Sequence, residues 1–448
     1  MSVTITDVKI LLGEEIVEGG ISIQDGRINK IGRKALLAKP EKRIDGKGLI
    51  AVPGLIDAHV HLRDMELAYK EDFSSGTLAA AAGGFTTVLD MPNTKPPTSS
   101  SERLLEKIDR ARAAIHVNVG FYATLAESAN ELHRMADAGA IAFKLYMNEP
   151  EAWHHNPERL LSSLEQSRSL GLRVACHAET GERVAKIQAE RQASGRSSVR
   201  DFARAHAARF EAEAVRAITG LARRAHSRIH VCHVSTEQGL RAISRARKTG
   251  TPVTCEVTPH HLVLNRRDLN RRGGLAVMVP PLRRPSDARA LWRSTLRGQI
   301  DIVASDHAPH SLEEKTSGDA WQVRPGIPGL ETTLPLLLTK VNRGEISLNR
   351  LVQLLAENPA RIFSLQRKGR IAAGMDGDVV LIDPKERFRI DSSKFYSKAH
   401  FSPFDGLECI GRPAVTIVSG HVVYDRGEII EKNRGMVMTR EVRPRGSS

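Results

Sequence analysis

The run Leu55-Ile-Asp-Ala-His-Val-His-Leu62 decides the fold, because it is short, apolar and β-branched and carries its polar side chains toward its far end. A run of that kind reads as a buried strand. Seven more follow, at 85–91, 116–123, 140–146, 172–179, 228–235, 252–258 and 300–305, each ending in a polar residue or a turn. The stretches between them, at 101–113, 128–138, 157–170, 202–224, 237–248 and 287–296, are rich in Ala, Leu, Arg and Glu with apolar residues three and four apart. They read as helices. Eight strand–helix units predict an α/β protein built as a closed parallel (β/α)8 TIM barrel, since a right-handed crossover after each strand makes that topology natural. A doubly wound open sheet is the alternative, and no G-x-G-x-x-G follows an early strand to support it.

Outside this region the pattern changes. Short strands punctuated by Gly and Asp are predicted at 3–11, 20–24, 27–31, 378–382, 414–418 and 421–424. They read as a small flanking β-sandwich built from both termini, so residues 1–52 and 365–435 form one composite module beside a barrel of residues 53–364. Residues 436–448 are left as a basic tail. A chain of 448 residues has room for both units and for a sizeable core.

Composition excludes several classes. With 41% hydrophobic and 26% charged residues and no low-complexity run, the chain is neither disordered nor fibrous. No apolar run approaches the ~18 residues a membrane span needs, and the N-terminus has neither the basic nor the apolar region of an export signal. A cytoplasmic protein is expected. Cys176, Cys232, Cys255 and Cys409 are widely spaced with no C-x-x-C, which suits buried thiols in a reducing compartment. The net charge of +14 raises nucleic-acid binding as a reading. With only 4% aromatic residues and basic residues spread over helices, it fits a solvated face that attracts small anions better.

The chemistry-bearing residues fall at strand ends. His59 and His61 end the first strand, Lys144 the fourth, His177 the fifth, His233 the sixth and Asp306 the eighth. In a parallel barrel all these ends open on one face, so six residues spread over the chain converge on one mouth. His-x-His in a strand puts both rings on one side, which suits two nitrogens on one cation, although an isolated pair is more often a surface or core feature. By the same alternation Cys176 and Cys232, each preceding a histidine, are predicted to point away from the mouth into the strand–helix layer. His230 has the opposite parity to His233 and reads as structural. His260 and His261, after the seventh strand, lie beside a proline that spoils any simple spacing argument.

Lys144 stands in an apolar run, so it is either snorkelling, paired, or chemically changed, since an unpaired ammonium is costly there. Carbamylation would turn it into an anionic two-oxygen ligand able to bridge two metals. Asp306 is either a helix N-cap or a carboxylate that takes a proton from a metal-activated water and passes it to a leaving nitrogen. The turn residues after it favour the second.

The strings Gly54-Leu-Ile-Asp-Ala-His-Val-His-Leu-Arg-Asp64, Lys70-Glu-Asp-Phe, Gly83-Gly-Phe-Thr-Thr-Val, Met91-Pro-Asn-Thr-Lys-Pro-Pro97, Phe143-Lys-Leu-Tyr, Cys176-His-Ala-Glu, Cys232-His-Val-Ser, Ser305-Asp-His-Ala-Pro-His310 and Gly326-Ile-Pro-Gly-Leu-Glu331 resemble the dihydroorotases of the amidohydrolase superfamily. The resemblance runs nearly the whole chain. It implies two zinc ions per subunit, bridged by N6-carboxylated Lys144 and held with His59, His61, His177, His233 and Asp306. It implies Asp306 as acid–base residue, and Arg63, Asn93 and His310 as the groups that hold the substrate's carboxylate. The implied activity is the reversible cyclisation of N-carbamoyl-L-aspartate to dihydroorotate in pyrimidine biosynthesis, with a metal-bridging hydroxide as nucleophile in the reverse direction.

Two departures stand out. Val279 occupies the place where the family carries a substrate-contacting Asn, and Asp64-Met65-Glu66 replaces Asp-Pro-Gly. Neither removes a metal ligand. The nearest rival is an allantoinase or a hydantoinase/dihydropyrimidinase-type enzyme, whose substrates lack the carboxylate that Arg63 and Asn93 would pair. A non-catalytic scaffold homologue is a further alternative, which the complete ligand set disfavours. The resemblance also implies a homo-oligomer, dimer or tetramer, and an association with aspartate carbamoyltransferase; neither nucleic acid nor membrane is an expected partner.

Overall fold

The protein is described by a computed structural model covering residues 2–32, 40–149 and 156–439. Eight strands, Leu55–Val60, Phe85–Asp90, Asn118–Thr124, Ala142–Tyr146, Val174–His177, Ile229–Val231, Val253–Val257 and Ile302–Val303, pair in parallel and in chain order. A parallel bridge between Val60 and His307 brings the last strand end to the first. Each predicted run overlaps one of these strands; six of the strands stop short of the run's end, the fourth ends with its run and the third passes it by one residue. Those ends are where chains diverge and side chains are released for chemistry.

The barrel has two apolar layers. Ile56, Ala58, Leu89, Tyr122, Ala142, Ala175 and Ile302 fill the interior. Val88, Val119, Phe121, Val174 and Cys176 pack outward beneath the helices. Where Tyr122 carries a hydroxyl into the interior, it donates to the Ala58 carbonyl at 3.0 Å, so the buried polar group is satisfied.

The helices begin at side-chain caps legible in the sequence. Ser100, Ser128, Asn156 and Thr236 each accept from a backbone N–H of the first turn of Ser101–Arg112, Ala129–Asp137, Pro157–Ser169 and Glu237–Lys248. The helix expected at 202–224 is two, Val199–Ala205 and Ala208–Ala225. His206 breaks it: the ring bonds Glu179 at 2.8 Å while the backbone carbonyl accepts from Arg283, which takes that carbonyl out of the helical ladder.

A second sheet stands beside the barrel. Its order joins Ser2–Leu12, Glu15–Gln24, Arg27–Gly32, Lys42–Asp45 and Ile50–Pro53 from the N-terminal part to Val379–Arg389, Glu408–Val418, His421–Asp425 and Glu428–Ile429. The seam is the antiparallel pair of Ile50–Pro53 with Val379–Arg389. Past this sheet, Val437–Met438 pairs with Val119 and Gly120 at the barrel. The expected basic tail therefore begins with a short strand, and its residues 440–448 lie outside the described residues.

Two buried carboxylates pin the barrel's first strand end. Asp57 accepts from the N–H groups of His59 (3.1 Å) and Ser305 (3.1 Å), tying the first strand to the residue before Asp306. Asp90 accepts from Leu62 N at 2.7 Å and pairs with the fully buried Lys107 at 2.6 Å. Removing one partner of such a pair costs about 3–5 kcal/mol, so the chain between His61 and Arg63 is firmly held. No helix among the described residues is long and apolar enough to cross a membrane.

Candidate metal centre

All nine residues singled out by motif line one cavity of about 490 Å³ at the C-terminal face of the barrel: His59, His61, Lys144, His177, His233, Asp306, Arg63, Asn93 and His310. Their convergence comes from parallel strand ends. The ring centroids of His59 lie 5.2 Å from His61 and 5.3 Å from His233, and those of His177 and His233 are 4.5 Å apart.

Ligand nitrogens are aimed by the other nitrogen of each ring. His59 Nδ1 donates to Glu256 Oε1 at 2.5 Å, and His61 Nδ1 donates to Asn93 Oδ1 at 2.6 Å. Both Nε2 atoms are thereby left facing Asp306 Oδ1, at 3.3 and 3.2 Å. This carboxylate–histidine arrangement fixes tautomer and ring angle in metal sites. His177 Nε2 is buried without a hydrogen-bond partner, as a nitrogen reserved for a cation would be. Donor atoms of His59, His233 and Asp306 lie within 4.8 Å of one another, and so do those of His59, Cys232 and Glu256. The residues present fit a metal centre of imidazole and carboxylate ligands.

The electrostatics favour a cation. Burial opposes a charge on His59, yet the Glu256 carboxylate, with Asp306, outweighs it and raises the ring to about 10. Burial lowers His61 to about 4, keeping it neutral. For Asp306 burial works against ionisation, but His59 and His61 more than offset it and hold the carboxyl well below its usual range. It is ionised at neutral pH.

The alternation expected for Cys232 fails. Its Sγ accepts from Lys144 Nζ at 3.0 Å and it packs with the barrel interior, whereas Cys176 packs outward as expected. The sixth strand ends at Val231, and His233 has a φ of +33°, so period-two alternation does not apply across Cys232-His233 and both side chains turn inward. His230 shares the inward parity of Cys232 and is structural, bonding Thr254 at 2.8 Å and Glu256 at 3.0 Å. His261 is likewise occupied on both nitrogens, by Thr258 at 2.7 Å and the Pro280 carbonyl at 3.1 Å. His260 leaves Nε2 buried and unbonded outside the cavity lining.

Left-handed backbone clusters here. Arg63, Asp64 and Met65 have φ of +59°, +51° and +51°, and Asp306 +49°. Each such non-glycine residue costs of order 1–2 kcal/mol and persists only where its surroundings over-determine it. Asp64 does that by accepting from Met65 N (2.6 Å), Phe73 N (2.9 Å) and Arg110. Asp64-Met65-Glu66 thus makes a sharp turn without the family's Pro-Gly, and it orients Arg63 toward Pro309 O (3.3 Å) and His310 (3.2 Å).

Glu256, Lys70 and Arg324 were not among the motif-derived site residues. Glu256 had the same signal as Lys144, an ionisable residue inside an apolar strand. Lys70 donates to His310 Nδ1 at 3.1 Å and pairs with Glu314 at 2.8 Å. Each ring nitrogen of His310 meets one donor and one acceptor, Nδ1 between Lys70 and Glu314 Oε2 (3.3 Å) and Nε2 between Arg63 Nη2 and the Pro325 carbonyl (3.0 Å). Burial and the cations Arg63 and Lys70 hold His310 neutral. Val279 lines the cavity, so no side-chain amide is offered there.

Glu256 gives a direct prediction. Glu256→Ala should weaken metal binding about 10–100-fold, because His59 loses the group that fixes its tautomer. Competition with a chelator, followed by metal analysis, measures it; unchanged affinity would show that Glu256 is a packing residue.

Comparison with known proteins agrees with this geometry. The amidohydrolase family model matches residues 50–423. Dihydroorotase from Methanothermobacter thermautotrophicus is 41% identical over 413 residues, covering 92% of this chain and 92% of the relative. Dihydroorotase from Pyrococcus horikoshii is 37% identical over 442 residues, covering 98% and 96%. Among solved structures, L-hydantoinase from Arthrobacter aurescens matches with a TM-score of 0.93 at 32% identity, covering 98% of this chain and 99% of that one.

Proposed function

The chain belongs to the amidohydrolase family, and from that premise we propose that it is a dihydroorotase that interconverts dihydroorotate and N-carbamoyl-L-aspartate with two zinc ions held by His59, His61, Lys144, His177, His233 and Asp306. The observation that carries the reading is the wall opposite the metal donors. Arg63, Lys70, Lys95 and Arg324 line the same cavity with two carboxylates, Asp306 and Glu314; Lys70 pairs with Glu314 and Lys95 with Glu66, which leaves Arg63 and Arg324 without an ion-pair partner among the described residues. A cavity with that excess of positive charge suits a substrate with a carboxylate of its own. Hydantoin and dihydrouracil have none.

Bound metal ions would supply a lowered pKa for water and polarisation of the ring carbonyl. The remaining steps belong to the protein. Asp306, ionised and held by His59 and His61, accepts a proton from the attacking water as its oxygen bonds to the ring carbonyl carbon. The carbon–nitrogen bond then breaks, and Asp306 returns the proton to the departing ring nitrogen. Arg63 donates to the substrate carboxylate. Asn93 keeps its oxygen on His61, which leaves its amide N–H groups for the same carboxylate. N6-carboxylation of Lys144 would remove a buried ammonium that has no carboxylate within ion-pair distance among the described residues, and would give the second ion an anionic ligand.

The test is turnover of dihydroorotate beside hydantoin and dihydrouracil by zinc-reconstituted enzyme. Arg63→Met should lower kcat/KM for dihydroorotate about 10–150-fold, from the ~1.5–3 kcal/mol of a charged hydrogen bond, with metal content unchanged. The L-hydantoinase likeness makes the alternative concrete: faster turnover of hydantoin than of dihydroorotate, insensitive to Arg63, would replace the proposal with a hydantoinase.

A further inference from the structure

The opposite end of the barrel carries a second cavity, of about 340 Å³, lined by Arg173, Arg228, Arg247 and the segment 250–254. Arg173 and Arg228 immediately precede the fifth and sixth strands, and 250–254 leads into the seventh, so the cavity lies at the N-terminal face, away from the metal donors. In barrels of this kind that face is ordinarily concerned with stability.

Its charges are unbalanced. Arg247 is matched: its Nη2 pairs with Asp301, its Nε donates to the Val253 carbonyl at 3.1 Å and its Nη1 to the Gln299 carbonyl at 2.6 Å. Arg173 is anchored but not neutralised. Its Nε donates to the Ile362 carbonyl at 3.3 Å, and its Nη1 donates to the Ile229 carbonyl at 3.1 Å and Thr254 Oγ1 at 3.2 Å. Among the described residues no carboxylate lies within ion-pair distance of Arg173 or Arg228, and no hydrogen bond involves Arg173 Nη2. Burial, then the neighbouring Arg228, pulls the Arg173 guanidinium down to about 10, a sign of two cations sharing one poorly solvated space. Asp301, already paired with Arg247, partly offsets that field, and Arg361 adds to it.

We propose that this cavity is a binding site for a small phosphate-bearing anion, held between the pre-oriented fork of Arg173 and the guanidinium of Arg228. Two unmatched positive charges suit a dianion, and a guanidinium already fixed by three neutral acceptors loses little freedom when it binds one. The tetrahedral oxygens of a phosphate accept from donors arriving from different sides, which a flat carboxylate does less well. The volume accommodates phosphate or pyrophosphate. The site is independent of the reaction at the other mouth.

Calorimetric titration of the full-length, metal-loaded protein with inorganic phosphate and with pyrophosphate, at low ionic strength, tests it. One site per chain is expected whose affinity falls at least tenfold in Arg228→Gln and in Arg173→Met. Arg228→Gln decides the matter if Arg173→Met fails to fold, because the Arg228 side chain makes no hydrogen bond among the described residues, and its carbonyl, which accepts from Val174 N at 3.1 Å, is kept in the variant. Arg224→Gln, which removes an equal charge from an exposed pair with Glu158, should leave binding unchanged. The proposal is overturned if neither anion binds, if binding survives Arg228→Gln, which would place the anion at the metal cavity, or if Arg224→Gln weakens it equally, which would mean diffuse attraction to a basic surface.

Discussion

Lys144→Ala should leave a folded barrel that retains fewer than two metal ions per chain and has lost on the order of 10³-fold or more in kcat, equivalent to ~4 kcal/mol of transition-state stabilisation. The side chain is 1% exposed, its Nζ lies 3.0 Å from Cys232 Sγ and 5.2 Å from the Tyr146 ring centroid, and its surroundings are the imidazoles of the site. An ammonium in that place would repel a cation held by those histidines. An anionic carbamate would attract it. Mass spectrometry of the metal-loaded protein should therefore show the added carbon dioxide, and metal analysis of Lys144→Ala should show the loss. Full metal content and activity in the variant would remove Lys144 from the centre and leave Cys232 and Glu256 as the groups to examine with His59.

Asp306→Asn should have an effect of similar size by a different route. Asn keeps the shape and an oxygen for the His59 and His61 nitrogens but cannot accept a proton at neutral pH. Loss of general acid–base catalysis typically costs about 10²–10⁴-fold in kcat, with KM little changed because Arg63 and Asn93 still hold the substrate. The two variants separate the roles when kcat is compared at full metal loading: Lys144→Ala cannot be restored to two ions, whereas Asp306→Asn, which also loses an anionic ligand and needs more zinc to load, stays slow when loaded. A variant at Asp306 that keeps more than a tenth of wild-type kcat would exclude it as the proton carrier.

Much of the site was legible in sequence because parallel strands leave their C-terminal residues at one end of a cylinder. Once 55–62 and its seven counterparts are read as strands, His59, His61, Lys144, His177, His233 and Asp306 have nowhere to go but the same mouth. Glu256 could have been found by the argument that singled out Lys144, since an ionisable group in a buried strand needs a partner. The orientation of Cys232 could not. Period-two alternation holds only while the chain is extended, and the left-handed φ at His233 ends it at the catalytic rim.

What the amino-acid order determined by itself is the alternation of strand and helix and the placing of six candidate cation donors at strand ends, which follow from local periodicity and residue chemistry; the joining of both chain ends was an inference from a change of pattern. Only the tertiary structure decided which nitrogens of His59 and His61 face Asp306, that Lys70 and Arg63 meet at His310, and that Arg173 and Arg228 share a cavity with no carboxylate within ion-pair distance of either among the described residues. Those features depend on side chains meeting across tens or hundreds of residues, where no local pattern records the distance.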